Sequence, residues 1–168
     1  MLRTDSFRMK RQMKQDHQQE SDSDVIDIDL AREMGRVCVC FNLRKATRYV
    51  TQFYDKELRS TGLRVTQLTL LTAIRVMAPT NLKRLSEAVG MDQTTLSRNV
   101  GLLQKKGLVE MEPGSDLRTR KLSLTRRGHE RLKQAYPLWK AAQAEIVSKI
   151  GSDKWISVLE SFGSIRRK

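Results

Sequence analysis

From Val37 onward the apolar residues of the chain fall at helical intervals. Cys40, Leu43, Thr47, Val50, Tyr54 and Leu58 recur every three or four positions, which predicts a helix with one apolar stripe and with Arg44, Lys45, Arg48 and Arg59 mostly off it. Gly62, after Thr61, supplies the turn that ends it. Thr66 to Met77 is apolar nearly all round, the pattern of a centrally buried helix, and Pro79 stops it. Two further helical patterns follow. Leu82, Leu85 and Val89 close at Gly90, and a longer helix opens behind Asp92, a good N-cap, after a break of about three residues. A buried helix followed by two helices across so short a glycine-containing turn forms a helix-turn-helix unit.

After Gly107 the period changes from helical to alternating. Val109 and Met111 stand against Glu110 and Glu112, and Leu122 and Leu124 against Lys121 and Ser123, with Pro113-Gly114-Ser115-Asp116 between them. That is a β-hairpin with a basic tip. From Thr125 a long helix resumes, with Leu132, Ala135, Trp139, Ala142 and Ile146 at the three-four spacing of a seam against a partner helix, and with a kink expected at Pro137. A last amphipathic helix carries Trp155, Val158, Leu159, Phe162 and Ile165 behind Ser152 as its cap. The fold class is mainly α with a small β-hairpin.

Residues 1–35 read differently. They are Gln-rich and charged, run through Ser21-Asp22-Ser23-Asp24, and offer too few apolar side chains to bury, so a flexible acidic and polar tail is expected, ending in a short helix that docks on a partner. Charge sharpens the division. The 168-residue chain carries +13, yet residues 1–35 hold 6 basic and 8 acidic side chains, a net of −2, which leaves +15 on residues 36–168. So basic a surface favours a polyanion, either nucleic acid or an anionic membrane face. The longest uncharged run, Val65 to Ile74, is ten residues, about half of the roughly 20 that a membrane-spanning helix requires. The first twenty residues lack the apolar stretch of a signal peptide, so a cytoplasmic location is expected.

The predicted helix from Asp92 to Lys106 has two unlike faces. At about 100° per residue, Leu96, Val100 and Leu103 fall together toward the core. Opposite them lie Thr94, Arg98, Gly101 and Lys105, flanked near the N-terminal end by Gln93 and Ser97, with Thr95 adding a hydroxyl. An amide, hydroxyls and a guanidinium are the donors and acceptors that base edges and phosphates need in a major groove. Arg118, Arg120 and Lys121 make the hairpin a thin basic ribbon suited to a minor groove, with Asp116 pairing a nearby arginine to fix the tip.

The ordered segments Leu82-Lys-Arg-Leu-Ser-Glu-Ala-Val-Gly-Met-Asp-Gln-Thr-Thr-Leu-Ser-Arg-Asn-Val, Gly107-Leu-Val, Asp116-Leu-Arg118 and Leu122-Ser-Leu-Thr-Arg-Arg-Gly128 resemble the MarR family of winged-helix transcriptional regulators, over about residues 36–150. The resemblance implies a winged helix-turn-helix over residues 65–124. Dimerisation helices would occupy residues 36–64 and 125–168, in a homodimer that places one recognition helix per subunit in the major groove of double-stranded DNA and its wing tips in the minor groove. Gln93, Thr94, Ser97 and Arg98 would then contact bases or phosphates, and Arg118, braced by Asp116, would enter the minor groove. Two recognition helices related by a two-fold axis need a roughly palindromic operator with half-sites about 10 to 10.5 base pairs apart. The expected function is that of a sequence-specific repressor released by a small ligand.

Two signals are open. A small aromatic or lipophilic acid would be met by Arg44, Arg48, Tyr49 and Trp139, in the cleft that the resemblance implies. Cys40, by its similarity to the early cysteine of the organic-hydroperoxide sensors in the same family, would instead be oxidised, and Arg44 one turn away would favour its thiolate. The plainer reading makes Cys40 a small buried residue on the seam. On one helix Cys38 and Cys40 would lie about 200° apart, which leaves only a disulfide between subunits open to them. His17 and His129 are the only histidines and complete no metal-ligand set, and no cofactor or catalytic constellation is expected. A basic winged-helix module that binds RNA or protein without reading sequence is the alternative from another class.

Overall fold

The computed structural model describes residues 25–113 and 120–165, and the chain divides into two compact units, Met1–Thr47 and Arg48–Lys168. The expectation of a flexible tail over residues 1–24 and the hairpin tip with Asp116 and Arg118 lie outside the described residues.

In the first unit, α1 (Ile28–Val37) is the short helix expected at the end of the tail. Asp27 caps it, accepting from the Asp29 N–H at 3.0 Å. Leu30, Met34 and Val37 fall within about 60° of one another around its axis, and all three are more than half exposed. Cys38 ends the helix in an extended conformation, and α2 (Val39–Glu57) starts at the next residue. Asn42 secures the break by donating its side-chain amide to the Arg36 and Cys38 carbonyls at 3.0 and 2.9 Å. Cys38 and Cys40 therefore do not share a helix, and the 200° separation expected for them does not apply. No glycine or proline marks the break, so the sequence pattern runs through it.

The second unit holds the core. A 3-10 turn, Arg59–Thr61, closes at left-handed Gly62 (φ 68°), as the sequence predicts. Next come α3 (Val65–Met77), α4 (Leu82–Val89), α5 (Gln93–Lys105), the antiparallel hairpin β1 (Val109–Pro113) and β2 (Arg120–Leu124), α6 (Arg126–Ile150) and α7 (Ser152–Ser164). The Asp55 carboxylate accepts from the Val65 N–H at 2.7 Å and so starts α3. Leu70, Leu71 and Ile74 of α3, Leu85 of α4, Leu96, Val100 and Leu103 of α5 and Leu122 of β2 are fully buried together. Each such leucine or isoleucine stabilises the fold by about 1.5–3 kcal/mol relative to an exposed position.

Two expectations about the C-terminal helices need correction. The cap of α7 is Gly151, with no side-chain hydrogen bond, and Ser152 is the first helical residue. The stripe on α6 is covered in part from within its own unit: Ala135 and Ala142 are buried, Leu132 and Ile146 pack on the core, and Gln143 accepts a hydrogen bond from the Tyr54 hydroxyl, while Trp139 is exposed. Periodicity identifies an apolar stripe correctly but does not say that the chain itself covers it.

Thr80 forms a third, one-residue strand beside the hairpin, its N–H and carbonyl both bonded to Leu122, at 3.3 and 2.7 Å. Its hydroxyl, on a residue only 3% exposed, has no hydrogen-bond partner among the described residues. Valine has the same shape and removes the orphaned oxygen, so Thr80→Val is expected to stabilise the protein by about 1 kcal/mol, a rise of roughly 2–4 °C in Tm. A lower Tm in differential scanning calorimetry would show that the hydroxyl is satisfied in solution.

Candidate nucleic-acid interface

The interface begins at the N-terminus of α5. Asp92 accepts from the Thr95 N–H at 2.8 Å, and the hydrogen bonds from that backbone and from the Thr95 hydroxyl hold its carboxyl below the usual aspartate range. A folded-state pKa lowered in this way means that the cap is present above the ordinary aspartate pKa and is lost as pH falls through the lowered value. Leu96, Val100 and Leu103 lock the inner face of the helix. Gln93, Thr94, Thr95, Ser97 and Arg98 are exposed on the outer side, as the sequence predicts. Among the described residues, nothing beyond its own stretch of helix lies within 4 Å of where a Gly101 side chain would begin, so this face is open to close approach. The partial positive charge of the helix N-terminus favours phosphate at the same end.

Lys105 does not join this group. It is exposed at the other end of α5, about 18 Å along the axis from Gln93, on a cavity that Lys106, Arg127 and Arg131 also line. The hairpin bears Arg120 opposite Pro113 and Lys121 opposite Glu112, both cations exposed, and Arg120 leans on the Met111 sulfur at 3.7 Å. Glu110 accepts from the Ser123 hydroxyl at 3.1 Å, so the ribbon carries acidic as well as basic groups.

The junction of hairpin and α6 fixes the wing against α5. Thr125 donates its hydroxyl to the Gly107 carbonyl at 2.7 Å, donates its N–H to the Leu108 carbonyl at 3.2 Å, and accepts from the Gly128 N–H at 3.0 Å. Gly128 passes so close that a Cβ there would sit 2.0 Å from the Leu108 carbonyl oxygen. This explains physically why Leu-Thr-x-x-Gly stands where it does. The motif is visible in the sequence without that cause, whereas nothing in the sequence pattern singles out Lys106 and Arg131.

The residues expected to receive a ligand are on two helices, α2 and α6. Arg44, Arg48 and Tyr49 are exposed along α2, and Trp139 is on α6 with its ring 6.1 Å from that of Tyr136. Cys38 and Cys40 are both exposed free thiols in the single chain. Among the described residues no group of three or more His, Cys, Asp or Glu is arranged to hold a metal. No helix among them is long and apolar enough to cross a membrane.

A buried helix, two helices around a three-residue turn and a hairpin behind them define a winged helix-turn-helix. A family model described as MarR family matches residues 61–118. The chain is 34% identical to the M. tuberculosis transcriptional regulator MosR in complex with DNA, covering 76% of this chain and 92% of that one at a TM-score of 0.70. A further MosR crystal structure is 31% identical, covering 78% and 94% at a TM-score of 0.69. The transcriptional repressor CouR of Rhodococcus jostii, solved on a 23-mer DNA duplex, shares the fold at 20% identity, covering 80% and 97% with a TM-score of 0.73. No curated protein sequence matches the chain. The protein belongs to the MarR family of transcriptional regulators.

Proposed function

We propose that this regulator is a cytoplasmic, sequence-specific repressor that binds a roughly palindromic operator in double-stranded DNA as a homodimer and is released by a small aromatic or lipophilic acid. The observation that carries the reading is the asymmetry of α5. Its inner leucines and valine are fully buried, while Gln93, Thr94, Ser97 and Arg98 are exposed together beside a capped helix N-terminus. A module that bound polyanions without reading sequence would need only charge there; this face offers an amide and hydroxyls able to discriminate base edges. Arg118 and Asp116 complete the reading as the proposed minor-groove contact and its brace.

Dimerisation is supported by apolar surface left uncovered in one chain. Leu30, Met34 and Val37 of α1 and Ile156, Leu159 and Phe162 of α7 are exposed at 43–61%, more than a lone soluble chain leaves in such stripes. Replacing Leu30 and Met34 together by Asp should therefore convert the protein to a monomer in sedimentation equilibrium, with helical circular dichroism retained because neither side chain is in the core. A double variant that stayed dimeric at micromolar concentration would remove α1 from the interface.

The exposure of Cys40 favours a second reading of the signal, in which a hydroperoxide oxidises its thiolate to a sulfenic acid and releases an alcohol. Loss of operator binding on mild peroxide treatment, prevented by Cys40→Ser, would distinguish it from release by an acid.

A further inference from the structure

Behind the recognition helix, at its C-terminal end, the second unit forms a cavity of about 330 Å³ walled by the Thr61–Leu63 turn, the end of α5 and the first turns of α6. Four cations line it, Lys105, Lys106, Arg127 and Arg131, and no carboxylate does. The three ion pairs among the described residues are Asp29–Arg32, Glu130–Arg126 and Glu145–Lys149, so none of the four has an acidic partner there.

Two of the cations are held in place by the fold. Lys106 Nζ donates to the Gly62 carbonyl at 3.0 Å and to Gln67 Oε1 at 3.1 Å, and Arg131 donates to the Thr61 carbonyl. Gly62, in the lining, and Gly107, just before Leu108 of the lining, are both left-handed at φ 68° and 67°. Arg131 lies over the first, one guanidinium nitrogen 3.7 Å from where a Cβ would start, and Arg127 over the second at 3.9 Å. The Thr61 and Gly62 carbonyls and the Gln67 side chain account for one donor of Arg131 and part of Lys106. Among the described residues most of the guanidinium N–H groups, and the whole of Lys105, have no hydrogen-bond partner. Gathering like charges in a half-enclosed space is unfavourable unless an anion enters, and a fork of guanidiniums matches phosphate oxygens.

We propose that this cavity is a binding site for a small, multiply charged anion of the phosphate or pyrophosphate class. Its volume is at the small end of ligand sites, which fits a compact anion without a large apolar body. Duplex DNA is the less suitable occupant. Of the four cations Arg131 is half-buried while Lys105, Lys106 and Arg127 are exposed, and the site is at the C-terminal end of α5, away from Gln93 at its start. An anion there would bridge α5 to α6, the element that anchors the wing.

The test is isothermal titration calorimetry of inorganic pyrophosphate into the full chain without DNA, at fixed ionic strength, so that it does not depend on the operator reading. One pyrophosphate per chain is expected, with affinity falling at least tenfold in the double variant Lys105→Gln/Arg127→Gln. These two side chains make no hydrogen bond among the described residues, so Tm should be retained. The control Lys133→Gln/Lys140→Gln removes the same charge from exposed positions elsewhere on α6 and should bind as the parent does. Equal weakening in both double variants, or no saturable binding, would overturn the site. So would a double variant whose only defect is a shallower salt dependence on duplex DNA, which would assign the cations to the DNA backbone.

Discussion

Gly128→Ala is expected to destabilise the protein by on the order of 4 kcal/mol, toward the upper end of single-substitution effects. The added methyl would start 2.0 Å from the Leu108 carbonyl oxygen and 3.0 Å from its carbon. Both are backbone atoms, so no rotamer change relieves the clash, and α6 must lift away from the junction. Lifting it breaks the two hydrogen bonds from Thr125 to the Gly107 and Leu108 carbonyls, which hold the wing at its angle to α5. For a chain of this length the loss corresponds to a fall of roughly 8–16 °C in Tm. DNA affinity should fall further than the unfolded fraction accounts for, because the surviving folded molecules carry a misplaced wing. A variant with parental Tm would show that the backbones are farther apart in solution.

Arg98→Ala should have the largest effect on recognition with little effect on folding. The side chain is exposed on the outer face of α5 and has no carboxylate partner among the described residues, so Tm should stay within the range of about 0.5 kcal/mol typical of surface substitutions. A bidentate arginine–guanine contact discriminates by about 1–3 kcal/mol, roughly 5- to 150-fold. The ratio of operator to scrambled-duplex affinity should therefore shrink by that factor. A phosphate contact would behave otherwise, weakening both duplexes alike and lowering the salt slope by about one. The competition ratio, measured in parent and variant, separates the two.

The elements around α5 were legible because local rules agreed. Asp92 caps, Leu96, Val100 and Leu103 repeat at helical spacing, Gly90 and Gly107 take left-handed conformations, and β1 and β2 alternate. What the pattern could not contain was the identity of whatever covers a stripe. The α6 stripe at Ala135 and Ala142 is covered by its own chain, whereas Leu30 and Met34, expected in the tail, and Val37 just after it are exposed in the single chain. The break at Cys38 rests on an Asn42 side chain reaching back to two carbonyls, an interaction with no sequence signature. Lys106, Arg127 and Arg131 converge from separate segments onto the turn at Gly62, so only the fold brings them together.

Sequence-specific binding by two chains is the central claim, and fluorescence anisotropy tests it most directly. The full-length protein would be titrated onto duplexes from upstream of its own reading frame, with a scrambled competitor and a salt series. Saturation at two chains per duplex is expected on one of them, with an affinity at least about 10³-fold above that for the scrambled sequence at physiological salt. Affinity that is the same for every duplex and follows salt concentration alone would contradict the claim, and would leave α5 as a basic surface that does not read bases.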